Sequence, residues 1–274
     1  MPAEVNPDPE RVVEAIVALS GAIHSAAVSI GTRLATRAVG DRADASAAES
    51  DRYEQLFVNP TILELARRRG EEGCGGLDHV VVRYGDSSQL LVPAVNGHLS
   101  VRVEPEANPR RLLADIRGAA ARLGVGADPP AMQVEPGASL ALEPFIDGDG
   151  PAWARRALTA FYAVSEEVRY VAVHAGSSLA VSSRVADPAE TTDRSDRYEE
   201  LLVNPTLLTL AGARGQIDRG GLRFLIVAYG SFFAFILPLL DGHATISLPR
   251  SADPIALAPA IERAGTAIAS DRSR

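Results

Sequence analysis

Residues 50–109 and 195–254 align on each other without a gap at a constant offset of 145, with 26 identities in 60 positions. Ser50-Asp51-Arg52-Tyr53-Glu54 recurs as Ser195-Asp196-Arg197-Tyr198-Glu199, and Val58-Asn59-Pro60-Thr61 as Val203-Asn204-Pro205-Thr206. Gly75-Gly76-Leu77, Tyr84-Gly85 and Gly97-His98 return as Gly220-Gly221-Leu222, Tyr229-Gly230 and Gly242-His243. A solenoid repeats every ~20–50 residues, so a unit of about 115 residues is a domain rather than a solenoid turn. The chain is therefore expected to hold two domains of one fold, over 8–124 and 151–270. The stretch 125–150 between them carries Pro129, Pro130, Pro136 and Pro144, five acids and no basic residue, which reads as an extended linker.

Each half gives the same succession of local signals. Apolar residues at helical spacing predict a first helix from Pro9 to Ile23 and from Pro151 to Val168. Alternating segments then predict a hairpin, Ser25–Ile30 with Leu34–Val39, and Tyr170–His174 with Leu179–Ser183, turning near Gly31 and Gly176. Polar stretches at 40–49 and 187–194 read as loops. Asp51 with Glu54, and Asp196 with Glu199, form the spacing of a helix cap. Asn59-Pro60 and Asn204-Pro205 then predict a break and a fresh helix, ended by left-handed Gly70 and Gly215. Three strands follow: Leu77–Tyr84, Ser88–Val95 and His98–Val103, and Leu222–Tyr229, Phe232–Leu239 and His243–Leu248. Asn96-Gly97 and Asp241-Gly242 are two-residue turns in which both residues are expected at positive φ. A last helix starts at Pro109 and Pro254, capped by Asn108 and Asp253. The apolar run Phe232–Ile236 stands where the first half has Ser87-Ser88-Gln89-Leu90-Leu91, so the second half is expected to cover one more sheet surface.

Arg69-Gly70…Gly75-Gly76-Leu77-Asp78-His79-Val80-Val81-Val82, its partner Arg214-Gly215…Gly220-Gly221-Leu222-Arg223-Phe224-Leu225-Ile226-Val227, and the hairpins at Gly97-His98 and Gly242-His243 carry a resemblance. Together with the element order they resemble the Roadblock/dynein light chain family, including its MglB-like bacterial members. The resemblance covers both halves and not the linker. It implies an α+β (α/β) chain of two α-β-β-α-β-β-β-α domains, each with a five-stranded, mainly antiparallel sheet, paired as a pseudo-dimer. An open sheet edge favours such pairing, within one chain or between chains as a homo-oligomer.

The chemistry excluded is as informative. All 27 basic residues are arginine, so a Walker-type phosphate loop and Schiff-base catalysis are ruled out. A net charge of −8 argues against broad nucleic-acid binding. Cys74 has no second cysteine to pair with. No histidine pair has helical metal-ligand spacing, so no metal and no cofactor are expected. Gly176-Ser177-Ser178-Leu179-Ala180 lacks the last glycine and the strand–turn–helix setting of a nucleophile elbow. His98 and His243 follow their hairpin turns as hydrogen-bonding strand starters or as ligands or bases. The acidic, Pro-rich start has no secretory pattern, and no apolar run nears the ~20 residues of a membrane span. A cytoplasmic, non-enzymatic protein with no membrane insertion is the expectation.

The resemblance implies a regulator or scaffold for a small Ras-like GTPase; the alternatives are a structural adaptor in a larger complex and a small-molecule sensor. The second helices are expected side by side as an exposed docking face bearing Tyr53, Arg68, Arg69, Tyr198 and Arg214. Packing with surface ion pairs is the other reading of the tyrosines. For the Arg67-Arg68-Arg69 run it is solvation at a helix end.

Overall fold

The computed structural model describes residues 7–39, 51–71, 73–126, 152–184 and 198–272. The polar stretches at 40–49 and 187–194, the expected cap Asp196, and nearly all of the 125–150 linker lie outside the described residues. The chain divides into two compact units. One takes the described residues of Met1–Leu65, Asp78–Pro130 and Leu210–Leu222; the other takes those of Ala66–Leu77, Ala131–Thr209 and Arg223–Arg274. Each unit thus holds most of one half together with a short segment, around the end of the second helix, from the other.

In the first half of the chain, helix α1 (Pro9–Val17) is capped by Asp8, whose side chain accepts from the Glu10 amide at 3.2 Å. It buries Val12, Val13 and Ile16 on strands β1 (Ile23–Ile30) and β2 (Arg33–Ala38). A π-turn, Glu54–Val58, leads into helix α2 (Asn59–Glu71). Strands β3 (Leu77–Tyr84), β4 (Ser88–Ala94) and β5 (Gly97–Val103) follow. Helix α3 (Leu113–Arg122) is entered through a 3-10 turn, Pro109–Leu112, whose cap Asn108 accepts from the Arg110 amide. The strands are ordered β2-β1-β5-β4-β3 and every registered pair is antiparallel.

The second half of the chain repeats this order. Helix α4 (Ala152–Tyr162) precedes β6 (Tyr170–Ala175) and β7 (Ser178–Ser183). A second π-turn, Glu199–Val203, opens helix α5 (Asn204–Asp218). Strands β8 (Leu222–Tyr229), β9 (Phe232–Leu239) and β10 (Gly242–Pro249) and helix α6 (Pro254–Arg272) complete it, in the antiparallel order β8-β9-β10-β6-β7. Asp253 caps α6, accepting from the amides of Ile255 and Ala256.

Several sequence expectations are corrected. The first helices are shorter, ending at Val17 and Tyr162. Gly70 and Gly215 do not end their helices in the left-handed region, because α2 and α5 run past them to Glu71 and Asp218. They are glycines because the chain folds back there. A Cβ on Gly70 lies 2.8 Å from the Gly76 carbonyl carbon, and one on Gly215 lies 2.8 Å from the Leu222 nitrogen. At the β4–β5 turn only Asn96 takes positive φ (61°). Gly97 is needed instead for close approach, since its Cβ falls 1.8 Å from the Ser29 carbonyl oxygen. The contrast between β4 and β9 also fails: β4 is buried along its whole length, as are Ser87, Ser88 and Gln89. Their polar groups are satisfied rather than solvated, with Gln89 donating to Ser100 Oγ at 2.8 Å and Ser88 accepting from Arg83 at 2.6 Å.

Asn59 and Asn204 are not helix caps. Both lie in right-handed helical geometry, and their amides reach back five residues, to the Glu54 and Glu199 carbonyls. The wider turn accommodates Pro60 and Pro205, which have no N–H to give and whose rings crowd the carbonyl four residues back in an α-helix. Thr61 and Thr206 hydroxyls donate to the Phe57 and Leu202 carbonyls, each at 2.6 Å.

Candidate functional site

The first unit collects charge against the start of α2. Glu54, 1% exposed, accepts from Arg214 Nε at 2.7 Å, and Arg219 Nη2 lies 3.4 Å from the same oxygen. Arg214 also donates to Asp51 at 2.6 Å and to Asp218, and Arg219 donates to Asp51 at 2.7 Å. Burial disfavours the Arg214 cation, but Glu54 and Asp218 outweigh it and hold its pKa above the ordinary value. The Tyr84 hydroxyl is pushed up by burial and by Glu54. In the second unit the repeat-equivalent residues make the equivalent pair: Arg69 Nε donates to Glu199 Oε2 at 2.5 Å, both buried. Burial again opposes the Arg69 charge, and Glu199 more than offsets it. Tyr229 is raised by burial and by Glu199.

These positions answer one another across the repeat, since Arg69 matches Arg214 and Glu54 matches Glu199 at the offset of 145. Arg69 and Arg214, expected on an exposed face, are 6% and 3% exposed. An arginine whose guanidinium is spent on a buried carboxylate is not a surface cation, so that expectation is corrected for these two. Glu54 is likewise taken up by Arg214 rather than by a helix cap. Arg68 is exposed, as are Tyr53 (60%) and Tyr198 (54%).

Under each π-turn sits a second polar cluster. In the first unit Asn59 donates to Gln55 Oε1 at 3.0 Å, and His98 Nε2 lies 3.3 Å from the same oxygen; Gln55 Nε2 is 3.3 Å from Ser100 Oγ. Burial pushes His98 down to about 4, so it is neutral at pH 7. In the second unit Glu200 replaces Gln55. Its Oε2 accepts from His243 at 2.9 Å, Thr245 at 2.7 Å and Asn204 at 3.2 Å. His174, whose ring centroid is 5.4 Å from that of His243, is pushed down by burial and by His243. The alternation of β5 puts His98 and Ser100 on the π-turn face and Leu99, Val101 and Val103 on the other. Both histidines are therefore held under a helix, not displayed.

No family model matches the chain, and no curated protein matches it. Among solved structures, the gliding protein MglB of Thermus thermophilus is similar over 47% of this chain and 96% of that one, at 17% identity and a TM-score of 0.35. The fold is α+β, with the order α-β-β-α-β-β-β-α in each half and an antiparallel five-strand order in each unit, as the sequence leads one to expect.

What the two units display at these turns is apolar. Tyr53, just before the first π-turn, and Leu56 and Phe57 on it are 60%, 40% and 58% exposed, with the Tyr53 and Phe57 rings 5.2 Å apart. Tyr198, Leu201 and Leu202 are 54%, 49% and 51% exposed on the second. Sequence reasoning found the tyrosines and missed the other four. Among the described residues there is no cluster of three metal-holding side chains, and no helix is long and apolar enough to cross a membrane.

Proposed function

We propose that this chain is a non-enzymatic regulator or scaffold that binds a small Ras-like GTPase, acting in the cytoplasm through two Roadblock-like domains over 8–124 and 151–270. The observation that carries the reading is the exposed apolar triad on the π-turn of each unit. Large apolar side chains grouped in the open mark contact surfaces, and tyrosine and arginine are favoured at their centres. The docking residues are Tyr53, Tyr198 and Arg68, joined by Leu56, Phe57, Leu201 and Leu202. Arg69 and Arg214 take part from beneath, by holding the acid of each turn. Arg68 steers an acidic partner patch, so binding weakens with added salt.

The test is titration of the purified chain with each Ras-like GTPase of its source organism, loaded with GDP or a non-hydrolysable GTP analogue. Saturable binding in one nucleotide state, reduced at least tenfold by Arg68→Glu together with Leu56→Ser and Leu201→Ser, is the expected result. Absence of binding to all of them in both states overturns the reading.

A further inference from the structure

The two last helices hold their sheets with ion pairs of opposite sense. In the first half, Arg117 of α3 donates to the Asp78 carboxylate at 2.6 Å and to the Asp78 carbonyl at 2.8 Å, near the start of β3. In the second half the acid is on the helix. Arg223 of β8 donates to Glu262 of α6, through Nε at 2.8 Å and Nη2 at 2.7 Å. These are the same two places, since 78 and 223, and 117 and 262, stand 145 apart. Ile116 and Ile261, one residue earlier in each helix and both 0% exposed, confirm the match. Burial works against the Asp78 charge, but His79 and Arg117 outweigh it and hold its pKa well below the ordinary carboxylate value. A second contact differs in size rather than charge. Leu237 Cδ2 occupies the space that a Cβ on Gly265 takes, so α6 has a glycine where β9 has a leucine. The first half carries the smaller Val92 and the larger Ala120 at the matching positions, both buried.

Duplicated halves invite exchange of equivalent elements, within one chain or between copies. The segments around the ends of the second helices, each grouped with the other half, carry one sense only: Arg214 serves Glu54, and Arg69 serves Glu199. Either arginine suits either acid, so those contacts do not tell the halves apart. The last-helix pairs do. Docking α6 on β3 sets Glu262 against Asp78, whose side chain is 6% exposed, and docking α3 on β8 sets Arg117 against Arg223. Like charges held face to face are disfavoured, most of all where water is scarce. The same exchange sets Ala120 against Leu237 and Gly265 against Val92, one contact overfilled and the other underfilled. We infer that the reversed ion pair and the exchanged sizes are matching labels, which keep each last helix on its own sheet and off the equivalent sheet of a second copy of the chain.

The test gives the second half the first half's labels in the full chain: Arg223→Asp, Glu262→Arg, Leu237→Val and Gly265→Ala. Each half then keeps a matched pair, but the two pairs are alike. The melting temperature is expected within about 5 °C of native. Unfolded in urea and refolded at rising concentration, the native chain is expected to return to its starting mass. The variant is expected to give larger species by light scattering, or a second NMR indole signal from the single tryptophan, Trp153, on the helix α4 that packs against α6. The starting mass and one indole signal at every concentration overturn the inference. So does failure to fold, because alike pairs are expected to serve equally well. A second variant, Arg117→Glu with Glu262→Arg, inverts the helix labels and leaves the strands as they are. It is expected to melt more than about 5 °C lower or to gain mass. Adding Asp78→Arg and Arg223→Asp is expected to restore the native mass and most of the melting temperature. An inverted chain indistinguishable from native, or a chain with all four changes no better than the inverted one, overturns the inference.

Discussion

Arg214→Met isolates the ion pair that holds the first π-turn. The Arg214 side chain is 2% exposed and meets three carboxylates, of which Asp51 (32% exposed) and Asp218 (37% exposed) are open to solvent and Glu54 (1% exposed) is not. The two solvated legs are screened and count for little, under ~1 kcal/mol each. The Glu54 leg dominates, because losing one partner of a buried pair strands the other charge at a cost of about 3–5 kcal/mol. Arg219 Nη2, 3.4 Å from the same Glu54 oxygen, softens the loss toward the lower end, about 3 kcal/mol. At roughly 2–4 °C per kcal/mol for a protein of this size, the melting temperature drops by about 6–12 °C. Thermal melts followed by circular dichroism at pH 7, with urea unfolding as a second measure, give both quantities. The double variant Arg214→Met/Glu54→Met removes both charges and is expected within about 1 kcal/mol of native, since apolar replacement of a whole buried pair is often neutral. A single variant as stable as native, or a double variant no better than the single, refutes the electrostatic reasoning.

Three further expectations follow from the polar clusters and glycines. His98 is neutral in the folded state down to about pH 4 but protonates near 6.5 when unfolded. Stability is therefore full above pH 6.5 and falls by up to about 3 kcal/mol as pH drops toward 4, and His98→Gln flattens that limb of a stability–pH curve. Gln55→Glu sets a carboxylate where Gln55 Oε1 now lies 3.3 Å from the ring, so an NMR titration should show the His98 pKa rising from about 4. Gly97→Ala drives a Cβ to within 1.8 Å of a backbone oxygen and is expected to cost about 3 kcal/mol or more, whereas Gly31→Ala, at φ +57° with open space, costs about 1 kcal/mol in chemical denaturation.

Much of the fold was legible because its signals are local. Asn108-Pro109 and Asp253-Pro254 cap helices with their own side chains, and strands β3, β8 and β9 begin and end with their apolar runs and flanking turn residues. The π-turns were not legible, because Asn-Pro within a helix has two physical meanings, a restart or a widened turn, and local propensity does not separate them. The burial of Arg69 and Arg214 depends on acids 130 and 160 residues away. Its trace in the sequence is selective recurrence. Arg69 and Glu54 return in the second half as Arg214 and Glu199, while exposed Arg67 and Arg68 become Gly212 and Ala213. His98 and His243 stand out in the sequence as a repeated pair, but their orienting partners, Gln55 and Glu200, arrive only when the π-turn folds over the sheet.

Hydrogen–deuterium exchange of the chain alone and in complex with a GTP-analogue-loaded Ras-like GTPase tests the central claim most directly. The account predicts new amide protection concentrated in peptides covering 53–58 and 198–203, with β4 and β9, already buried in the free chain, unchanged. Protection confined to other surfaces, with both π-turns exchanging as fast in the complex as in the free chain, contradicts it.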